Sequence, residues 1–140
     1  MQPIESTLAP PRWQTWAGRS ASGLVILFLL ADAFAKLLEL EPVVQASRQI
    51  GYPVGLTQSL GAIILACALL YAIPRTAVLG AVVLTGLLGG AVATQLRIGT
   101  PLLSHVLFGV YVGVLAWGGL WLRDRRLRAL MPLRWAFTRC

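Results

Sequence analysis

The chain has 140 residues, of which 57% are apolar and only 12% charged, with a formal net charge of +7. So few polar groups cannot keep a small globule in water, which excludes a soluble domain and calls for a membrane protein. A positive balance would also suit nucleic acid, but its placement along the chain excludes that partner.

Residues 1–16, with Pro3, Pro10 and Pro11, read as a mobile leader. Four apolar runs follow, at about 20–40, 54–73, 77–96 and 102–122, each near the ~20 residues that a helix needs to cross a bilayer core. The last three contain no formal charge. They are continuous rather than alternating, so helices and not barrel strands satisfy the backbone in lipid. A cleaved signal peptide competes for the first run, because Arg12 and Arg19 precede it and Ala33-Phe34-Ala35 has a small-x-small pattern. The apolar character resumes through Leu40, which favours a retained span.

Between the first two runs, Val43, Ala46 or Ser47, and Ile50 repeat at helical spacing and Gly51 is a stop, so a short amphipathic helix lying on the outer surface is expected. The second connection is a tight turn around Pro74. The third ends with Thr100 as a candidate N-cap and Pro101 at the first helical position. Residues 123–140 form a basic amphipathic tail, in which Leu127, Leu130, Met131, Leu133, Trp135 and Phe137 interleave with arginines. Short connections make the expected fold all-α, an integral membrane four-helix antiparallel bundle over residues 17–122.

With four spans, both termini share a side with the Pro74 turn. That side holds Arg12, Arg19, Arg75, Arg123, Arg125, Arg126, Arg128, Arg134 and Arg139 against Glu5 and Asp124, which accounts for the whole net charge of +7. The opposite side balances Lys36, Arg48 and Arg97 against Asp32, Glu39 and Glu41. The positive-inside rule places both termini in the cytoplasm, with the Leu122–Arg128 stretch resting on anionic headgroups. Trp13, Trp16, Trp117 and Trp121 match an aromatic belt on the same side.

Cys67 and Cys140 are poorly placed to pair, and without a C-x-x-C no thiol–disulfide relay is expected of this chain. Cys67 reads as a small packing residue. Gly86 with Gly90, and Gly109 with Gly113, each make G-x-x-x-G, which allows close helix contact within the bundle or between two copies in a homodimer.

Ionisable groups inside the first run need an explanation. At about 100° per residue, Asp32, Lys36 and Glu39 share one helix face, with Asp32 at the favourable i, i+4 position before Lys36. An antiparallel bundle brings Gln58, Thr94, Gln95, Arg97, Ser104 and His105 to similar depth. An intramembrane charge costs about 2.5–3.5 kcal/mol at a helix centre, so Asp32 should face inward and meet Lys36, Arg97 or His105. Two readings of this polar layer stay open. It is a structural ion-pair and hydrogen-bond plug, or it is a site for an amphipathic ligand such as a quinone. Lone His105 has no H-x-x-x-H or E-x-x-H companion, so no metal or haem is expected.

The stretch IGYP (Ile50 to Pro53), the LYAIPRTAVLGA turn within Ala66 to Gly99, and the R-x-G-x-P-L-x-S-H lead-in to the last helix (Arg97 to His105) resemble the bacterial DoxX-like family. The resemblance covers roughly residues 17–134. It implies a small inner-membrane protein of four helices. The wider DoxX/DoxD group includes membrane subunits of thiosulfate:quinone oxidoreductase and other redox components, while other relatives serve in maturation or assembly. It carries no defined catalytic residue over to this chain, and fold likeness alone does not fix chemistry.

The expectation is a quinone-interacting membrane subunit in which Lys36 and Arg97 donate to ring oxygens and Asp32 or His105 handles protons. No flavin, haem or iron–sulfur motif is present, so electrons would come from a redox partner subunit and the chain has no cofactor of its own. The alternative is a non-enzymatic scaffold or assembly factor. Solute transport is a third reading, disfavoured because four helices alone rarely enclose a path, although a homodimer could.

Overall fold

The computed structural model describes residues 11–53 and 55–131. The expected leader up to residue 10, Val54, and the tail from residue 132, with Leu133, Arg134, Trp135, Phe137, Arg139 and Cys140, lie outside the described residues.

The chain folds as α1 (Arg12–Leu37), α2 (Glu41–Gln49), α3 (Leu56–Ala72), α4 (Ala77–Ile98), a single π-helical turn (Leu102–Val106), α5 (Leu107–Arg123) and α6 (Arg125–Leu130). α1 starts well before the apolar run, with Pro11 at its N-cap. Trp13 and Trp16 are exposed there, as suits the polar first turns of a helix at an interface. α1 stops at Leu37 because Glu39 adopts a left-handed φ of 48°. This turn takes Glu39 out of the helical face it was expected to share with Asp32 and Lys36. Thr100 does not cap the last helix. Its hydroxyl donates back to the Gln95 carbonyl at 3.1 Å, closing α4, and Gly99 supplies the left-handed residue with φ 73°.

The four main helices form a square in which α1 touches α3 and α5, and α4 touches the same two. Among them α1, α4 and the Leu102–Arg123 segment are long and apolar enough to cross a membrane, and α3 is an apolar helix of 17 residues. The outward faces are apolar: Leu24 and Leu27 on α1, Leu69 on α3, Leu79 and Val82 on α4, and Val114 on α5 are all exposed. Apolar residues outside as well as inside are the pattern of a bundle solvated by lipid.

The interior is small and tightly packed. Val25, Leu29 and Ala33 of α1 meet Ile64, Cys67 and Ala68 of α3, Ala81 and Leu84 of α4, and Ala116 and Leu120 of α5. Tyr71, one residue before the end of α3, is fully buried. Its hydroxyl donates to the Ala116 carbonyl at 2.7 Å, which uses its only proton, so the Ser22 hydroxyl 3.1 Å away is the donor in that second bond. Three helices are thereby joined through one side chain. Arg123 completes the knot, its Nη2 donating to the Tyr71 carbonyl at 3.1 Å while the guanidinium lies 5.2 Å from the ring centroid. A second cross-link runs from Trp117 Nε1 of α5 to Thr85 Oγ1 of α4 at 2.9 Å.

Glycines set the helix separations, though not chiefly the expected ones. A Cβ on Gly80 would lie 2.4 Å from the Tyr71 backbone nitrogen, and one on Gly18 would lie 2.9 Å from the Arg123 nitrogen. Gly109 does bring α5 against Val92 and Leu88 of α4. Gly86 and Gly90, by contrast, meet nothing within 4 Å.

Candidate functional site

Asp32 and Lys36 stand one turn apart on α1 and form an ion pair, with the lysine donating to Asp32 Oδ1. The side chain of Lys36 is 17% exposed and that of Asp32 31%, so the pair is withdrawn without being sealed. Gly61 of α3 makes room for it, since a Cβ there would sit 2.9 Å from Lys36 Cβ. Each charge is the other's partner, which is how such groups survive in an apolar bundle.

Across the gap lies the last half of α4. The Thr94 hydroxyl donates to the Gly90 carbonyl at 2.9 Å, leaving its oxygen to accept from the Tyr52 hydroxyl at 3.1 Å. Arg97 Nη2 donates to the Ile50 carbonyl at 3.2 Å. Two bonds therefore tie the segment after α2 to the end of α4, and Gly51 between them takes the φ of 83° that the bend requires. α2 is held across this end of the bundle like a strap. Leu40 precedes it, Pro42 sits in its first turn, and Val43, Ala46 and Ser47 border the space below it, with Ser47 buried.

Beneath the strap is a cleft of about 730 Å³ between α1, α3 and α4. Asp32, Lys36, Ser47, Tyr52, Thr94 and Gln95 give it a polar part, and Phe28, Leu29, Leu60, Ile64 and Leu87 give it an apolar part. Gly86 and Gly90 form a bare stretch of α4 along it, so the small residues widen the space instead of closing a helix contact. Phe28 also packs edge-on against Phe108 of α5, ring centroids 5.2 Å apart.

Of the residues expected to converge, Asp32, Lys36, Thr94 and Gln95 line this cleft together. Arg97 is exposed and acts on it indirectly, by fastening the strap. Gln58 is exposed at the start of α3 and does not line it. Ser104 and His105 sit on the exposed π turn, where Ser104 Oγ and His105 Nδ1 are 2.7 Å apart and face each other instead of the cleft. Tyr52 and Ser47 are the polar lining groups that sequence reasoning passed over. The one available signal for Tyr52 was an aromatic residue set between Gly51 and Pro53, in a turn that had to pass close to a helix end.

Four packed apolar helices, with a strap helix at one end and a half-polar cleft beneath it, define a small multi-pass membrane protein. The chain belongs to the DoxX-like family, whose profile matches residues 20–119, a span that includes every cleft residue and stops short of the basic tail. Comparison with curated proteins and with solved structures gave no match to either.

Proposed function

We propose that the cleft binds a quinone, with the ring at the Asp32–Lys36 end and the tail leaving along Phe28, Leu60 and Leu87. The chain then serves as a quinone-interacting subunit of a membrane redox assembly whose electron donor is a partner protein. The observation that carries this reading is the graded lining of one cleft, polar at the ion pair and apolar beside it. Its size lies within the usual range for small-molecule sites, ~300–1,000 Å³. Lys36 keeps hydrogens beyond the one given to Asp32, and Asp32 keeps its second carboxylate oxygen. The pair can therefore donate to a ring carbonyl and accept from a ring hydroxyl.

The test is extraction of lipids from the purified protein. About one quinone per chain is expected in the wild type, falling at least tenfold in Asp32→Asn, which removes the carboxylate charge. The same loss is expected in Gly90→Leu, which fills the cleft where nothing stands within 4 Å of an added Cβ. Gly89→Leu, outside the lining, should keep the ligand. Wild-type protein free of quinone would overturn the proposal. It would favour the scaffold reading, which rests on the self-contained Asp32–Lys36 pair and gains support if Asp32→Asn lowers stability with no ligand present.

The same reading sets the arginine-rich end of the bundle, where α1 begins and α5 finishes, in the cytoplasm of the inner membrane. A green fluorescent protein fused at the C-terminus should fluoresce and an alkaline phosphatase fused there should be inactive. The reverse pattern would invert the orientation.

A further inference from the structure

A second cavity, of about 1000 Å³, opens at the opposite end of the bundle from the cleft. Four separate elements deliver arginines to it: Arg19 from α1, Arg75 from the turn between α3 and α4, Arg123 from the end of α5, and Arg125 with Arg126 from α6. Asp124 is the one acid in its lining. That carboxylate is already engaged, because its Oδ1 accepts from the backbone nitrogens of Arg126 and Leu127 at 2.8 and 3.4 Å as the N-cap of α6. Arg123 is likewise committed to Tyr71. Among the described residues, Arg19, Arg75, Arg125 and Arg126 enter no salt bridge. Guanidinium groups do not lose their proton in proteins, so the cavity holds a standing positive charge.

Part of the lining is apolar, with Leu120 and Leu127 buried and Val78 and Leu130 exposed beside the arginines. A free inorganic anion would leave that apolar part unused. We propose that the cavity is a discrete site for an anionic phospholipid, its phosphate held by Arg19, Arg75, Arg125 and Arg126 and its acyl chains laid against the leucines. Arginine presents a planar fork that matches phosphate oxygens in pairs, and basic pockets between transmembrane helices are suited to such headgroups. Because Arg19 and Arg75 lie far in sequence from the basic tail, a built site differs measurably from a diffuse attraction of that tail to the bilayer.

Native mass spectrometry of the full chain in neutral detergent, with added phosphatidylglycerol or phosphatidylcholine, decides the matter. A preference of at least tenfold for phosphatidylglycerol is expected. Arg19→Gln and Arg75→Gln should each weaken that binding about fivefold, while Arg75→Lys, which keeps the charge but loses the fork, should fall between Arg75→Gln and the wild type. Arg48→Gln, a matched loss of charge at the strap end, should bind like the wild type. Undiminished binding in both cavity variants would overturn the proposal, as would an equal loss in Arg48→Gln. Displacement of the lipid by equimolar inorganic phosphate would also overturn it, in favour of a free anion as the occupant.

Discussion

Gly80→Ala is expected to lower the melting temperature of the detergent-solubilised protein by about 5–10 °C, while Gly89→Ala leaves it unchanged or slightly raised. The chemistry of the two substitutions is identical, and each gains roughly 1 kcal/mol of helix propensity. Their surroundings differ. At Gly89 an added methyl meets nothing within 4 Å, whereas at Gly80 it would lie 2.4 Å from Tyr71 N and 2.7 Å from Tyr71 Cα. Backbone cannot swing aside as a side chain can, so α3 and α4 must separate. Overpacking of this kind costs about 1–3 kcal/mol in a close-packed interior, and the displaced backbone here belongs to the residue that joins three helices. Gly80→Leu should fail to yield a monodisperse bundle. Equal melting temperatures for the Gly80 and Gly89 alanine variants would show that the two helices do not approach as described.

Tyr71→Ala is expected to destabilise the bundle by about 4 kcal/mol and Tyr71→Phe by only about 1 kcal/mol. The larger figure is the cost of emptying a fully buried aromatic site. The smaller one reflects the loss of the bonds to Ser22 and Ala116 with the ring left in place. Interhelical hydrogen bonds in membranes average well below 2 kcal/mol, because the separated helices find other partners. Arg123 sharpens the distinction. It bonds the backbone carbonyl of residue 71 and faces the ring, so Phe keeps both contacts and Ala keeps only the first. Thermal or denaturant unfolding in detergent checks the pair, and a Tyr71→Phe loss as large as that of Tyr71→Ala would place the energy in the polar network and not in packing.

The all-helical bundle of four main helices was legible because uncharged apolar runs of bilayer length leave the backbone one way to satisfy itself. Helix starts were less so. Arg12 to Arg19 is too polar to join an apolar run, yet it continues α1, since a helix near lipid keeps its hydrogen bonds past the edge of its hydrophobic stretch. The Asp32–Lys36 pair could be read from i, i+4 spacing alone, and Thr94 and Gln95 could be placed opposite it from the antiparallel order of the helices. Ser104 and His105 share their depth, but depth is not direction. The π turn over Leu102–Val106 widens the helix locally and shifts the phase of the side chains that follow its start, which no hydrophobic count registers. Glycine spacing singled out only some of the contacts, for a related reason. Gly109 and Gly113 fit the G-x-x-x-G pattern and do meet α4, but Gly86 and Gly90 fit it equally and meet nothing within 4 Å, while isolated Gly80 makes the closest approach, because the rotation of a helix is fixed by its neighbours as much as by its own sequence.

The helices differ in length mainly where α1 is polar. α1, with 26 residues, spans about 39 Å and α3, with 17 residues, about 26 Å. Arg12 to Arg19 at the start of α1 carry two arginines and two exposed tryptophans, the composition of an interfacial turn, so its apolar part from residue 20 onward is about 27 Å long. The two apolar lengths therefore agree, and both fall slightly below the roughly 30 Å of an average hydrocarbon core, so one thickness of bilayer suits both helices without a large tilt of either.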